Sequence, residues 1–266
     1  MVGKLVRLDR IFSRKSGKTI IVPLDHGITV GPISGLINLK KTVDNIVAGG
    51  ANAIIGHTGL ALHGYANRGK DLSFILHLSA STDVNPQDLN DKVIVNSVEQ
   101  ALKLGADGVS VHVNVGSKNE SQQLKDLGRI SNQCVNWGMP LIAMMYPRGE
   151  GLKGDPKSAE MVKLAVRVGA ELGVDLIKTY YTGTVESMKE VVESSPVPVI
   201  IAGGSKLGDE ETLKMIKEAM EAGCQGLSIG RNVFQHQTPD KLLQAAQAIV
   251  HNNSTVAEAL NLLSSK

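Results

Sequence analysis

Eight short apolar runs rich in Val and Ile recur along the chain: TIIVPLDHG (19–27), AIIGH (53–57), SFILHLSA (73–80), DGVSVHVNV (107–115), PLIAMMYP (140–147), DLIKTYY (175–181), VPVIIAGGS (197–205) and GLSIGRN (226–232). They are mostly continuous rather than alternating, the pattern of strands covered on both faces of a parallel sheet. Between them, apolar residues three and four apart predict amphipathic helices: LKKTVDNIVAGG, SVEQALKLGA, QQLKDLGRISNQCVNWG, SAEMVKLAVRVGAELG, TVESMKEVVESS, DEETLKMIKEAMEAG and PDKLLQAAQAIVHN. Several close on Gly, the residue favoured just past a helix C-terminus. AGGANAII, KLGADGVSVH, ELGVDLIKT and EAGCQGLSIG repeat one step from helix end through a turn into a strand. Eight such units within 266 residues predict an α/β fold, a single (β/α)8 TIM barrel forming one catalytic domain over 1–266. An open doubly wound sheet shares the alternation and is the competing arrangement. The stretch 59–71 breaks the rhythm and is expected as a loop over the barrel mouth.

Composition narrows the function classes. Twenty-eight Lys and Arg against 26 Asp and Glu, with no block of like charge, argue against a nucleic-acid partner. No apolar run nears the ~20 residues of a membrane span, and the charged N-terminus lacks a signal-peptide core. A cytoplasmic protein is expected, in which the sequon at Asn252 has no meaning. Cys134 and Cys224 form neither a disulfide framework nor a metal motif. SGKT (16–19) lacks the leading Gly of a P-loop, and AGGANA is no dinucleotide fingerprint. Trp137, Met144 and Met145 read as core filling.

In a barrel the C-terminal strand ends converge on one face, which carries the chemistry. The polar residues there are Asp25 and His26, His57, His77, His112 and Asn114, Tyr146 and Arg148, Lys178, Gly203 to Ser205, and Gly230 with Arg231. Lys178 stands among apolar neighbours in LIKT, where burial disfavours the ammonium and supplies a neutral amine for Schiff-base chemistry. Pairing with a barrel carboxylate, or binding phosphate, are the plainer roles for such a lysine. Asp25 suits a proton acceptor, and equally a partner for Lys178 or a helix cap. Tyr146 suits a proton shuttle if a neighbouring cation lowers its pKa, and otherwise a packing group. The glycine-rich ends IAGGSK and SIGRN lie after strands seven and eight, where backbone N–H groups and Arg231 suit a phosphate. The histidines at 57, 77 and 112 read as hydrogen-bonding rim residues rather than metal ligands, and no cofactor is expected. Arg148, a planar fork two residues past Tyr146, suits a carboxylate.

VPLDHGITVGPISGLIN, HVNVGS, WGMPLIAMMYPRG, DLIKTYYTG, AGGSK and SIGRNVFQH together resemble the archaeal-type class I aldolases of the DhnA family, from about residue 5 to residue 260. The resemblance implies a (β/α)8 barrel with Lys178 as Schiff-base lysine, Tyr146 as proton donor and Asp25 as proton acceptor. It implies phosphate on Gly203, Gly204, Gly230 and Arg231. Substrate contacts then fall to His26, Gly27, Ile28 and Thr29, with Pro147 and Arg148 beside Tyr146. DHGITVGPISGLIN and WGMPLIAMMYPRG look more like a transaldolase-type branch than like the plain fructose-bisphosphate aldolases. That branch moves a hydroxyacetone unit from 6-deoxy-5-ketofructose 1-phosphate, through its C2 ketone on this reading, to L-aspartate semialdehyde. Its product feeds 3-dehydroquinate and the aromatic amino acids. The partners implied are thus a phosphorylated keto sugar, a small aldehyde and further copies of the chain, commonly a dimer of pentamers. His57-Thr58-Gly59 departs from the family's His-Lys-Gly. The alternatives are a fructose-bisphosphate or dihydroxyacetone-phosphate aldolase, a lysine-dependent thiolase on the same scaffold, and a phosphate-binding barrel without covalent chemistry.

Overall fold

Eight parallel strands close on themselves in chain order in the computed structural model, which describes residues 2–65, 71–84 and 89–265. They are β1 (Thr19–Pro23), β2 (Ala53–Gly56), β3 (Ser73–His77), β4 (Gly108–Val115), β5 (Leu141–Pro147), β6 (Leu176–Thr179), β7 (Val199–Ala202) and β8 (Gly226–Ser228). All eight predicted runs are strands of one closed barrel, so the open sheet is excluded. The seam between β1 and β8 pairs Thr19 with Gly226. It depends on that glycine, which sits at φ 141° and where an added Cβ would lie 1.9 Å from the Thr19 carbonyl oxygen.

Side chains alternate in and out along each strand although almost all are apolar. Ile21, Ala53, Ile55, Ile75, Ile142, Met144, Leu176 and Ile200 fill the barrel. Ile20, Val22, Ile54, Phe74, Val109, Leu141, Met145, Ile177 and Ile201 pack outward against the helices. Burial on both faces explains why the sequence shows continuous runs.

The seven predicted helices form, among them Leu39–Ala48, Glu120–Trp137, Ala159–Glu171 and Pro239–Asn252. Two longer helices lie outside the expectation. Val2–Ile11 closes the N-terminal end of the barrel. Ile11 joins the interior cluster with no exposed surface. Lys4 pairs with Asp175 at 2.8 Å, Arg10 reaches Asp107 at 2.9 Å, and Arg7 donates to the Gly138 carbonyl at 3.2 Å. Val256–Ser264 follows Thr255, whose hydroxyl and Glu258 cap each other's backbone N–H groups.

Two further expectations are corrected. The start of 59–71 is helical, as a turn over Thr58–Leu60 and a wider coil over Ala61–Tyr65, because Leu60 and Ala61 find apolar cover. Residues 66–70 lie outside the described residues. Trp137 is half exposed and donates from its indole N–H to Glu99 at 3.0 Å, so it caps a surface rather than filling the core. Met144 and Met145 are buried as expected. Between β3 and β4 a two-stranded ribbon, Ser79–Ala80 with Val93–Ile94, reaches the mouth. Among the described residues no helix is long and apolar enough to cross a membrane.

Candidate functional site

The C-terminal strand ends enclose a cavity of about 320 Å³. Lys178, Tyr146, Asp25, His26, Ile28, Thr29, Arg148, Gly203, Gly204, Gly230 and Arg231 all line it. Gly27 and Pro147 do not. Gly27 opens a single helical turn, Gly27–Val30, and Pro147 ends β5 on the alternate, outward parity. His57, His77 and His112 line the cavity, while Asn114 lies off it and binds the Asn90 carbonyl at 3.0 Å. Thr58 bonds to Asn96 at 3.1 Å and lies outside the lining.

Lys178 points inward from β6, where register sets it beside Met144 of β5 and Ile200 of β7. It is 6% exposed, and among the described residues its amine has no hydrogen-bond or ion-pair partner. Burial lowers its pKa from 10.5 to about 8, against the attraction of Asp25. A useful fraction is therefore free amine near neutral pH.

Asp25 follows β1 and faces two imidazoles, with His26 Nδ1 3.4 Å and His77 Nε2 3.8 Å from its oxygens. Burial works to raise its carboxyl, and the fields of His77, His26, Lys178 and His57 outweigh that and hold it well below the usual range. His77 itself is driven down to about 3 by burial, so at neutral pH the full positive charge nearby is that of Lys178. The other His77 nitrogen bonds to Ser110 at 2.7 Å. His57 stacks edge-on to His77 at 5.3 Å, and both of its ring nitrogens are buried without a partner among the described residues.

Tyr146 projects inward two residues beyond Met144. Its ring packs on Tyr180 at 4.6 Å and His112 at 5.2 Å, with the Arg148 guanidinium 5.2 Å above. The expectation of a cation-lowered phenol fails. Burial raises the pKa, Tyr180 and Asp25 add to it, and Arg148 only partly opposes them. The phenol thus keeps its proton at neutral pH.

On the opposite side, Gly203, Gly204 and Gly230 expose backbone, and Arg231 reaches the Gly204 carbonyl at 2.8 Å. A Cβ on Gly230 would fall 2.7 Å from His26 Cε1 and 2.9 Å from the Pro23 carbonyl oxygen. The close approach of the two loops needs glycine there.

Lys92, Tyr180, Ser79 and Ser228 also line the cavity and escaped the sequence reading. Tyr180 carried a signal, since it lies two residues after Lys178 on the same strand face. Lys92 carried none, because the ribbon that bears it has no periodic pattern.

Residues 19–236 match the family model described as DeoC/LacD family aldolase. The chain is similar to the 2-amino-3,7-dideoxy-D-threo-hept-6-ulosonate synthase of Halobacterium salinarum, with 43% identity over 97% of this chain and 95% of that protein. It is 44% identical to synthase 1 of the same name from Archaeoglobus fulgidus, over 98% of this chain and 95% of the relative. Among solved structures, a Schiff-base-forming fructose-1,6-bisphosphate aldolase superposes with a TM-score of 0.85 at 31% identity, covering 93% of this chain and 99% of that one.

Proposed function

Because the chain belongs to the DeoC/LacD family of aldolases, we propose that it transfers a hydroxyacetone unit from 6-deoxy-5-ketofructose 1-phosphate to L-aspartate semialdehyde, releasing 2-amino-3,7-dideoxy-D-threo-hept-6-ulosonate. The observation that carries this reading is the buried, unpaired amine of Lys178, held near pKa 8 and sharing one cavity with a carboxylate and a phenol.

Atom balance moves the condensation from the C2 ketone to C5. The unit transferred ends in a methyl group and carries no phosphate, so it is C4 to C6 of the donor. Lys178 attacks the C5 ketone, and Tyr146 gives the proton with which the carbinolamine oxygen leaves as water. In the iminium the C3–C4 electrons move toward nitrogen while Asp25 takes the C3 hydroxyl proton. Hydroxypyruvaldehyde phosphate departs, and the enamine of hydroxyacetone stays on Lys178. C4 of that enamine attacks the semialdehyde carbonyl, and Asp25 returns its proton to the new alkoxide. Water then adds to the iminium, with Tyr146 relaying protons, and frees Lys178.

The glycine-rich ends at 203–204 and 230, with Arg231, make the phosphate cradle of this reading, and Ile28, Thr29 and His26 wall the substrate. The reading extends to a cytoplasmic enzyme of one catalytic domain that assembles into rings, commonly ten copies, which a solution mass near ten protomers of 28.2 kDa would support.

The superposed bisphosphate aldolase favours a second reading, cleavage of fructose 1,6-bisphosphate by the same groups. One assay separates them. The enzyme is given the keto sugar phosphate with L-aspartate semialdehyde, and separately fructose 1,6-bisphosphate. The seven-carbon amino keto acid should form without cleavage of the bisphosphate, and the reverse pattern would replace the first reading by the second.

A further inference from the structure

One side chain that stays out of the cavity ties the β7 loop to the β8 loop. Asn232 lies in the helical turn Arg231–Phe234 after Gly230, is 3% exposed, and is absent from the lining that Gly203, Gly204, Gly230 and Arg231 share. Its Nδ2 donates to the Gly203 carbonyl at 3.3 Å, and its Oδ1 accepts from the Leu207 N–H at 2.9 Å. A single amide thus holds both ends of the loop 203–207. Arg231 and Lys206 bridge the same gap, to the Gly204 carbonyl at 2.8 Å and the Gln235 carbonyl at 3.1 Å, but both side chains are exposed. The first tie has no slack, since a Cβ on Gly203 would lie 2.7 Å from Ile229 Cγ2 and 3.2 Å from Asn232 Nδ2.

Peptide geometry carries this tie to the cavity. Across a trans peptide the carbonyl and the next N–H point in opposite directions. With the Gly203 carbonyl turned to Asn232 and the Gly204 carbonyl to Arg231, the N–H groups of Gly204 and Ser205 face away from the β8 turn. Among the described residues neither has a hydrogen-bond partner. Gly204 sits at φ 64°, the left-handed conformation with which successive N–H groups form an anion-binding concavity. Bonds from exposed side chains compete with water, whereas a buried amide that loses its partners bears its full desolvation cost. Asn232 is therefore the group that sets these peptide planes.

We infer that Asn232 is a positioning residue for the phosphate cradle: its buried amide orients the backbone of 203–207 toward the phosphate of the keto sugar without touching substrate. This rests on the aldolase reading above and deepens its phosphate site.

The test compares wild type, Asn232→Leu and Asn232→Ala. Leucine keeps the volume and removes both bonds, while alanine leaves room for a water that can bridge the Gly203 carbonyl and the Leu207 N–H. Four quantities are read: the KM of the keto sugar phosphate, its inhibition by inorganic phosphate, the KM of L-aspartate semialdehyde, and borohydride trapping of hydroxyacetone on Lys178. Asn232→Leu should weaken the keto sugar phosphate and inorganic phosphate in parallel, by about tenfold or more, and Asn232→Ala by about threefold or more but less than leucine. The semialdehyde KM and hydroxyacetone trapping, which need no phosphate, should change less than about twofold. A larger loss with alanine than with leucine would mark a packing role and overturn the inference. Equal losses with and without phosphate would overturn it too, as would phosphate inhibition unchanged in both variants. Should the leucine variant fail to fold, Asn232→Ala decides alone, by its phosphate inhibition against its hydroxyacetone trapping. Absence of a Lys178 adduct in wild type with either ketone would overturn the aldolase reading and the inference with it.

Discussion

Replacing Lys178 by methionine should stabilise the protein at neutral pH while it abolishes carbon–carbon bond chemistry. Burial holds the amine at about 8 against 10.5 in the open chain, with the attraction of Asp25 already included. At about 1.36 kcal/mol per pKa unit, keeping Lys178 charged in the barrel costs roughly 3 kcal/mol of folding stability at pH 7. The folded pKa lies below the unfolded one, so between 8 and 10.5 the unfolded chain holds more protons. Wild type must therefore gain stability as pH rises through that window, with the penalty whole below 8 and gone above 10.5. Methionine is neutral, unbranched and similar in length, and its ladder neighbours Met144 and Ile200 are apolar. The attraction to Asp25 that the substitution removes is already counted in the lowered value of Lys178, so it is not subtracted a second time. Urea unfolding of both proteins at several pH values reads the difference. The variant should lead by about 3 kcal/mol at pH 7, and the lead should shrink to about half between pH 8 and 9.5. A variant no more stable than wild type at pH 7, or a gap that ignores pH, would refute the reasoning.

Other expectations concern the proton carriers and the barrel floor. Tyr146→Phe should lower turnover by about 10² to 10⁴ and slow borohydride trapping at Lys178 with it, because it removes the proton donor for the dehydration that forms the iminium; single-turnover kinetics checks this, and wild-type rates would refute it. Under saturating acceptor, kcat/KM for the donor should fall about tenfold per pH unit below about 8 and level off above it, as free Lys178 amine is titrated; a profile that goes on rising about tenfold per unit up to about pH 10 would count against a lowered lysine. Ile11→Ala should cost about 2–4 kcal/mol in urea unfolding, because it opens a cavity at the closed end of the barrel. It should leave the KM values unchanged, since Ile11 lies away from the mouth.

The strands and the flanking helices were legible because burial writes itself into apolar periodicity. The Val2–Ile11 helix was not, because its inward face carries Lys4 and Arg7, which meet Asp175 and a carbonyl, and only Ile11 is fully buried. Thr255 and Glu258 did announce the C-terminal helix through a capping pair that pattern reading passed over. The positions of Lys178, Asp25 and Tyr146 at the mouth followed from strand ends alone. The state of the Tyr146 phenol did not, since it depends on whether burial or Arg148 prevails. Lys92 reaches the cavity only through the ribbon that pairs Ser79–Ala80 with Val93–Ile94, a contact with no local signature.

The central claim is that a buried amine on β6 becomes covalently joined to a ketone. Borohydride is added to the protein with and without the keto sugar phosphate, and the digested chain is mapped by mass spectrometry. One substrate-dependent adduct should appear, on the peptide containing Lys178. A modification on another lysine, or none while product still forms, would contradict it.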